Sequence, residues 1–319
     1  GDGKIVIRPF AWYDLPSLYR RKTGLICLNK RSLLTHGSPL GITALVLRLD
    51  PSSESFTAVQ EGQTADHTSF GQVRHQGGGR SAHLSFIASE LREDDRDILR
   101  LLEELNCRAG EMGAFNVLAE IEDSSPLFEF LRTCGFAVYG WEVAWKLPGS
   151  LSASDAKARK WRIAGTADDA QIRALYQALV PPVVQAAESW SGEDVRRLVY
   201  QEENEILAYV ESSSGPQGVY LRPVVHPSET NAQDLITGLG SQFKDLGQPV
   251  YLQVRSYQAW LLDSLERIGG EETLRFSLLV KHLTVKQRNG VIVTNGKRVE
   301  NRQAEPTAPL VNHIHGDRL

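Results

Sequence analysis

One succession of elements runs through this chain twice, and no other feature restricts its fold as much. The first copy opens with Lys4-Ile5-Val6-Ile7-Arg8-Pro9, a short strand ended by proline. A helix over 11–20 follows, with Asp14 as its candidate cap and Pro16 in the first turn, where proline is tolerated. The apolar stretch 41–49 reads as strand or helix. Strands are predicted over 56–60, 69–75 and 82–88, the last two joined through Gly77-Gly78-Gly79. Ile98, Leu101, Leu102, Leu105, Ala109 and Met112 then recur at helical spacing. A strand over 115–121, a helix from Leu127 to Cys134 ended by Gly135, and a final strand or bent strand pair over 136–147 complete the copy.

The order returns from Trp161. Strands are predicted at 161–163, 205–212, 218–225, 249–254 and 274–283, and helices at 167–179, 234–246 and 257–268. Ile121 and Val254, Leu131 and Leu265, and Trp145 and Val280 stand at offsets of 133, 134 and 135, the near-constant spacing that duplication produces. The Ser/Ala/Lys-rich stretch between the copies lacks apolar periodicity. The expected organisation is therefore a domain over 1–149, a linker over 150–160, a domain over 161–285 and an extension over 286–319. In that extension Asn289-Gly290 and Asn295-Gly296 bracket Val291 to Thr294 as a hairpin. The spacing from Gly290 to Lys297 is one residue too long for a phosphate loop.

Composition excludes several classes. Lys and Arg number 35 against 39 Asp and Glu, for a net charge of −4, a poor match to a phosphate backbone. No apolar run nears the ~20 residues that cross a bilayer, and the start at Gly1 lacks a signal-peptide core, so a cytoplasmic protein is expected. Nucleic acid and membrane are not expected partners, and oligomeric state is left open. Three cysteines with no C-x-x-C spacing give neither a disulfide framework nor a zinc knuckle; Cys107 and Cys134 read as core. His67, His75 and His83 are scattered, and no His-Glu-x-x-His or Gly-x-Ser-x-Gly occurs, so no metal site and no esterase elbow is expected.

Ile7-Arg8-Pro9-Phe10 with Asp14-Leu15, the run Phe130-Leu131-Arg132-Thr133-Cys134-Gly135-Phe136, and Val225-His226-Pro227 all resemble segments of the GNAT N-acetyltransferase family. The element order, met twice, is similar to that family's. The resemblance implies an α+β fold of two tandem GNAT-like domains, each a mixed, mostly antiparallel sheet flanked by helices. It also implies acetyl-CoA as cofactor. The family's fourth and fifth strands splay, the pantetheine arm pairs with the open edge, and the diphosphate sits at the next helix's N-terminus on an Arg-x-x-Gly-x-Gly loop. Carried onto this sequence, the cofactor-binding positions are Ile87, Ala88 and Arg92 in the first copy and Val224, Val225, His226, Asn231 and Ala232 in the second.

Both copies depart from the pattern. The loop glycines of the first fall on Glu93, Asp95 and Asp97, and each like charge near a diphosphate costs on the order of 1 kcal/mol. The second lacks the arginine and the glycines, and Thr230 with Gln233 reads as a capping box. The family's tyrosine proton donor is replaced by Leu131 and Leu265. Candidate catalytic groups are Glu120, His83 and Tyr220, with Glu122 and Glu211 also on or beside the central strands. Two functions follow from the resemblance. One is an acyl-CoA-dependent N-acyltransferase, acetyl by preference, acting on a small-molecule or peptide amine with at most one competent domain. The other is a non-catalytic ligand-binding or interaction protein whose groove takes something else or is filled by its own side chains.

Overall fold

A computed structural model describes residues 6–37, 53–61, 68–76, 78–91, 95–149, 151, 160–188, 196–228 and 231–283. The 41–49 stretch, His67, Arg92, Glu93, Thr230 and the 289–296 hairpin lie outside them, as does most of the expected linker.

The chain begins with β1 (Val6–Pro9), α1 (Leu15–Arg20), β2 (Leu25–Cys27), α2 (Lys30–His36), β3 (Ser53–Glu61), β4 (Ser69–Gln76) and β5 (Ser81–Ala88). It continues with α3 (Arg96–Glu111), β6 (Asn116–Glu122), α4 (Leu127–Thr133) and β7 (Ala137–Lys146). The second copy holds β8 (Trp161–Ile163), α5 (Asp169–Leu179), α6 (Pro182–Ala187), β9 (Arg196–Glu202), β10 (Glu205–Gly215) and β11 (Gly218–Val225). It ends with α7 (Ala232–Ser241), β12 (Val250–Arg255), α8 (Leu262–Arg267) and β13 (Glu271–His282).

Asp14 does not cap α1 as expected. Its carboxylate takes both Arg8 Nη atoms at 2.7 Å and the Ala11 N–H at 2.8 Å, closing a 3-10 turn over Trp12–Asp14. The second copy repeats the device: Arg162 grips Asp168, which accepts the Gly165 N–H at 2.8 Å. The reading of Cys107 as core is also corrected. It lies on the exposed side of α3, while Cys134 is buried.

Among the described residues thirteen strands form one sheet, in the order β1-β3-β4-β5-β6-β13-β7-β12-β11-β10-β9-β8, with β2 joined to β5. The closing strands are exchanged. β13, from the second copy, lies beside β6, and β7, from the first, lies beside β12. The two meet antiparallel, with Phe276 opposite Glu142 and Ser277 opposite Trp141. Covalent order therefore changes halves near residue 150, whereas the sheet changes halves between β13 and β7.

Amphipathic α3 buries Ile98, Leu101, Leu102 and Leu105 against the first half's strands, each side chain contributing roughly 1.5–3 kcal/mol. Approach is closest at Gly71 of β4, where a Cβ would stand 2.7 Å from Leu105 Cδ1. Leu235, Ile236, Leu239 and Leu265 from α7 and α8 fill the second half's core. The short helices cross over. Gln217, beside β11, donates its N–H to Thr35 of α2 at 2.9 Å, and Ser81 of β5 bonds the Ala187 carbonyl of α6 at 2.7 Å.

Candidate functional site

Parallel β5 and β6 pair only from Ser81–Asn116 to His83–Leu118, and parallel β11 and β12 only from Val219–Val250 to Leu221–Leu252. Beyond those residues each pair parts, leaving the splay that the resemblance implies. Because β6, β13, β7 and β12 alternate in direction, the two gaps open at opposite ends of the sheet.

The first gap is filled by main chain. β2 lies along β5, with Leu25 opposite Ala88, Ile26 opposite Ile87 and Cys27 opposite Phe86. Ser89 donates its N–H to Gly24 at 3.2 Å, Leu28 donates to Ser85 at 2.9 Å, and Glu120 of β6 donates to the Leu28 carbonyl at 3.1 Å. Segment 24–28 thus bonds both walls, and a Cβ on Gly24 would stand 2.8 Å from the Ser89 carbonyl oxygen. The open edge expected at Ile87 and Ala88 is taken, because an unpaired strand edge is the first place a neighbouring segment finds partners.

A side chain spans the second gap. Gln258, buried after β12, accepts the Val225 N–H at 2.8 Å and donates to the Pro223 carbonyl at 2.9 Å. Two hydrogen bonds hold it, where segment 24–28 is held by a ladder.

Both helix mouths carry carboxylates. Asp95 accepts the N–H groups of Asp97 and Ile98 at 3.0 and 3.4 Å and so caps α3. Arg92 lies outside the described residues. At α7 the cap is Asn231, not the expected Thr230 with Gln233: Asn231 accepts the Asp234 N–H at 3.2 Å and donates to that carboxylate at 2.5 Å. Ala232 is buried at the helix start, and His226 Nδ1 meets Ser228 Oγ at 2.6 Å.

Between the gaps runs a chain of charges. Lys30 Nζ pairs with Glu142, lying 5.3 Å from the Tyr220 ring and 5.1 Å from that of Phe276. Glu142 holds Arg255 Nε at 2.8 Å, and Arg255 Nη2 holds Glu188 at 2.8 Å. Glu188 also accepts the Tyr139 hydroxyl at 2.7 Å and pairs with Arg222, whose Nη1 lies 3.8 Å from Glu211. Residues opposite one another in register share a face, so Glu142 and Arg255, and Glu211 and Arg222, project to one side. Burial alone would raise the Glu188 carboxyl; Arg255 and Arg222 overcome it and hold it down at about 2.

At the Glu211 end a narrow cleft opens between α5, α6 and the strands. Tyr176, Tyr209, Tyr257, Glu211, Arg222 and Arg255 line it, with Val224 at the splay. Burial pushes the Tyr176 hydroxyl up to about 12 and raises Tyr257.

Of the sequence candidates, Val224 and Glu211 line this cleft. Glu120 is bound up in the first half, its Oε2 accepting the Lys30 N–H at 2.8 Å. His83 is exposed on β5, and Tyr220 is buried beneath Lys30. Sequence reasoning did not reach Arg222, Arg255, Glu188, Tyr257 or Gln258. The two arginines leave a one-dimensional trace, a lone charged residue within each of the apolar strands 218–225 and 250–255.

No family model matches this chain, and no curated protein resembles it in sequence. Solved structures do resemble it in fold. A tandem GNAT protein from the clavulanic acid biosynthesis pathway aligns with a TM-score of 0.53 at 12% identity, over 88% of this chain and 98% of that one. A GCN5-related N-acetyltransferase from Sphaerobacter thermophilus gives 0.52 at 14% identity, over 87% and 95%. A putative acetyltransferase from Pyrococcus horikoshii gives 0.51 at 11%, over 89% and 91%. The fold is that of the GNAT acetyltransferases.

Proposed function

We propose that this protein is an acyl-CoA-dependent N-acyltransferase that works through its second half alone. The observation that carries the reading is the contrast between the gaps. Segment 24–28 seals the first with main chain, whereas a lined cleft adjoins the second, and the edge there is covered by one side-chain amide. An incoming amide can replace the two Gln258 bonds one for one, at little net cost.

In this reading the Val225 N–H and the Pro223 carbonyl hold the pantetheine arm. The coenzyme supplies an acyl group activated as a thioester. Glu211 takes the proton that an ammonium acceptor must lose, and Tyr257, kept protonated by burial, holds one for the departing sulfur. The first half serves as scaffold, providing β7, Lys30 and Glu142.

A second reading has its own observation. Asn231 and Asp234 occupy the mouth of α7, where a diphosphate would sit. If that carboxylate prevails, the protein binds a ligand in the cleft without catalysis. Calorimetry with acetyl-CoA, followed by mass-spectrometric detection of acyl transfer to a panel of amines, separates the two. Binding with turnover that Glu211→Gln abolishes supports the enzyme. Absence of heat at millimolar coenzyme sinks it.

A further inference from the structure

Arg255 is 5% exposed, and its Nε and Nη1 are buried with no hydrogen-bond partner, although Nε lies 2.8 Å from Glu142 and Nη2 pairs with Glu188. A guanidinium offers five donors, and a buried donor left unmet costs about 1–3 kcal/mol. This residue lines the cleft beside Arg222, whose side chain is 34% exposed and so reaches the cleft's open side.

Charge balance restricts what can enter. Where they meet the cleft, Arg222 and Arg255 are matched by Glu188 and Glu211. In so dry a setting a ligand with a lone charge leaves that charge uncompensated, whereas one carrying both signs does not. The remaining walls, Tyr176, Tyr209, Tyr257 and Val184, suit an apolar or aromatic body.

We propose that the cleft takes an amine that also bears a carboxylate, an amino acid or a close analogue. The guanidinium pair of Arg222 and Arg255 receives the carboxylate, and Glu211 faces the ammonium. As an assignment of the acyl acceptor this rests on the acyltransfer reading; as an assignment of the ligand it does not.

The test is calorimetry on the full chain without coenzyme, comparing L-phenylalanine with phenethylamine and L-leucine with isoamylamine. Each pair differs only by the carboxylate. In at least one pair the amino acid is expected to bind at least about tenfold more tightly, the worth of one charge-assisted hydrogen bond. Arg255→Lys keeps a cation against Glu188 but loses the forked donors, and is expected to diminish that preference. A preference below tenfold in both pairs, no heat from any of the four probes, or a preference unchanged in both Arg255→Lys and Arg222→Lys overturns the proposal. Amino acids that bind while acetyl-CoA does not leave the ligand class standing and the acyltransfer reading fallen. Acetyl transfer to amines lacking a carboxylate, with no such preference, gives the reverse.

Discussion

The Gln258 side chain accepts the Val225 N–H at 2.8 Å and stands where a further strand would pair with β11. Its Nε2 bonds the Pro223 carbonyl, so one amide satisfies both polar groups that the splay exposes. If the coenzyme uses this edge, Gln258 is its competitor. Gln258→Ala is expected to lower stability by about 1–3 kcal/mol, since two buried groups lose their partner. The same substitution is expected to tighten acetyl-CoA binding roughly two- to tenfold, the net worth of a hydrogen bond no longer displaced. Paired melting and titration experiments check both effects, and unchanged or weaker binding removes Gln258 from the role.

The seal of the first gap depends on Gly24, where no side chain separates the backbone from the Ser89 carbonyl. Gly24→Val forces β2 away from β5 and is expected to cost about 1–3 kcal/mol. Hydrogen exchange should show the Ser89 amide losing protection, because it donates to Gly24. Protection that survives the substitution would mean that β2 does not close the gap.

These two gaps mark the limit of what the sequence tells. The strands beside them were legible, since 82–88, 115–121, 218–225 and 249–254 are apolar runs bounded by turn residues. The long helix was legible from its spacing. What fills the gaps was not. β2 is three residues long, α2 and α6 are seven and six, and none is long enough to display a period. Gln258 is polar within a stretch that reads as a helix, so its buried place follows only from tertiary structure. The strand exchange was equally hidden: the ladder of Glu142 to Phe276 joins residues far apart in the chain, and a repeat offset is the same whether closing strands stay home or trade places.

The central charge chain predicts an asymmetry between single and double substitutions. Glu142→Leu removes the carboxylate that Lys30 and Arg255 share, leaving Arg255 on Glu188 alone, and is expected to destabilise by about 3–5 kcal/mol. Adding Lys30→Met removes one stranded cation, already flanked by the Tyr220 and Phe276 rings, and should recover a substantial part of the loss. Urea titrations of the two single variants and the double variant give the coupling. Additive losses would mean that the pair does not act as a unit.

Acid should dismantle the fold through a small set of carboxylates. The Arg162 hydrogen bonds outweigh burial and hold Asp168 down at about 2, and Arg255 with Arg222 hold Glu188 there too. A depressed carboxylate contributes stability above its unfolded value, 3.8 or 4.5 here, and loses it as pH falls toward about 2. Stability is therefore expected to decline across that window. Asp168→Asn should be weaker at neutral pH yet lose less on acidification. Urea midpoints measured stepwise from about pH 6 to pH 2 test the sign; a variant as acid-sensitive as the parent contradicts it.

Exchange of β7 and β13 ties the halves together more firmly than the backbone that joins them. A protease site introduced between 151 and 160 separates the copies covalently without touching any of the described strands. After the cut, β13 still lies between β6 and β7, and β7 still lies beside β12, so parting the fragments requires breaking these ladders in the middle of the sheet. The charge chain opposes separation as well, since Lys30 and Glu142 come from one fragment and Arg255 and Glu188 from the other. The cleaved protein is expected to elute as a single species at the parent's volume, and to release its fragments only in denaturant. Fragments that separate in buffer and stay folded would mean that each half can hold its own closing strand, and the acyl-transfer assay on the isolated 160–285 fragment would then show whether the second half needs the first.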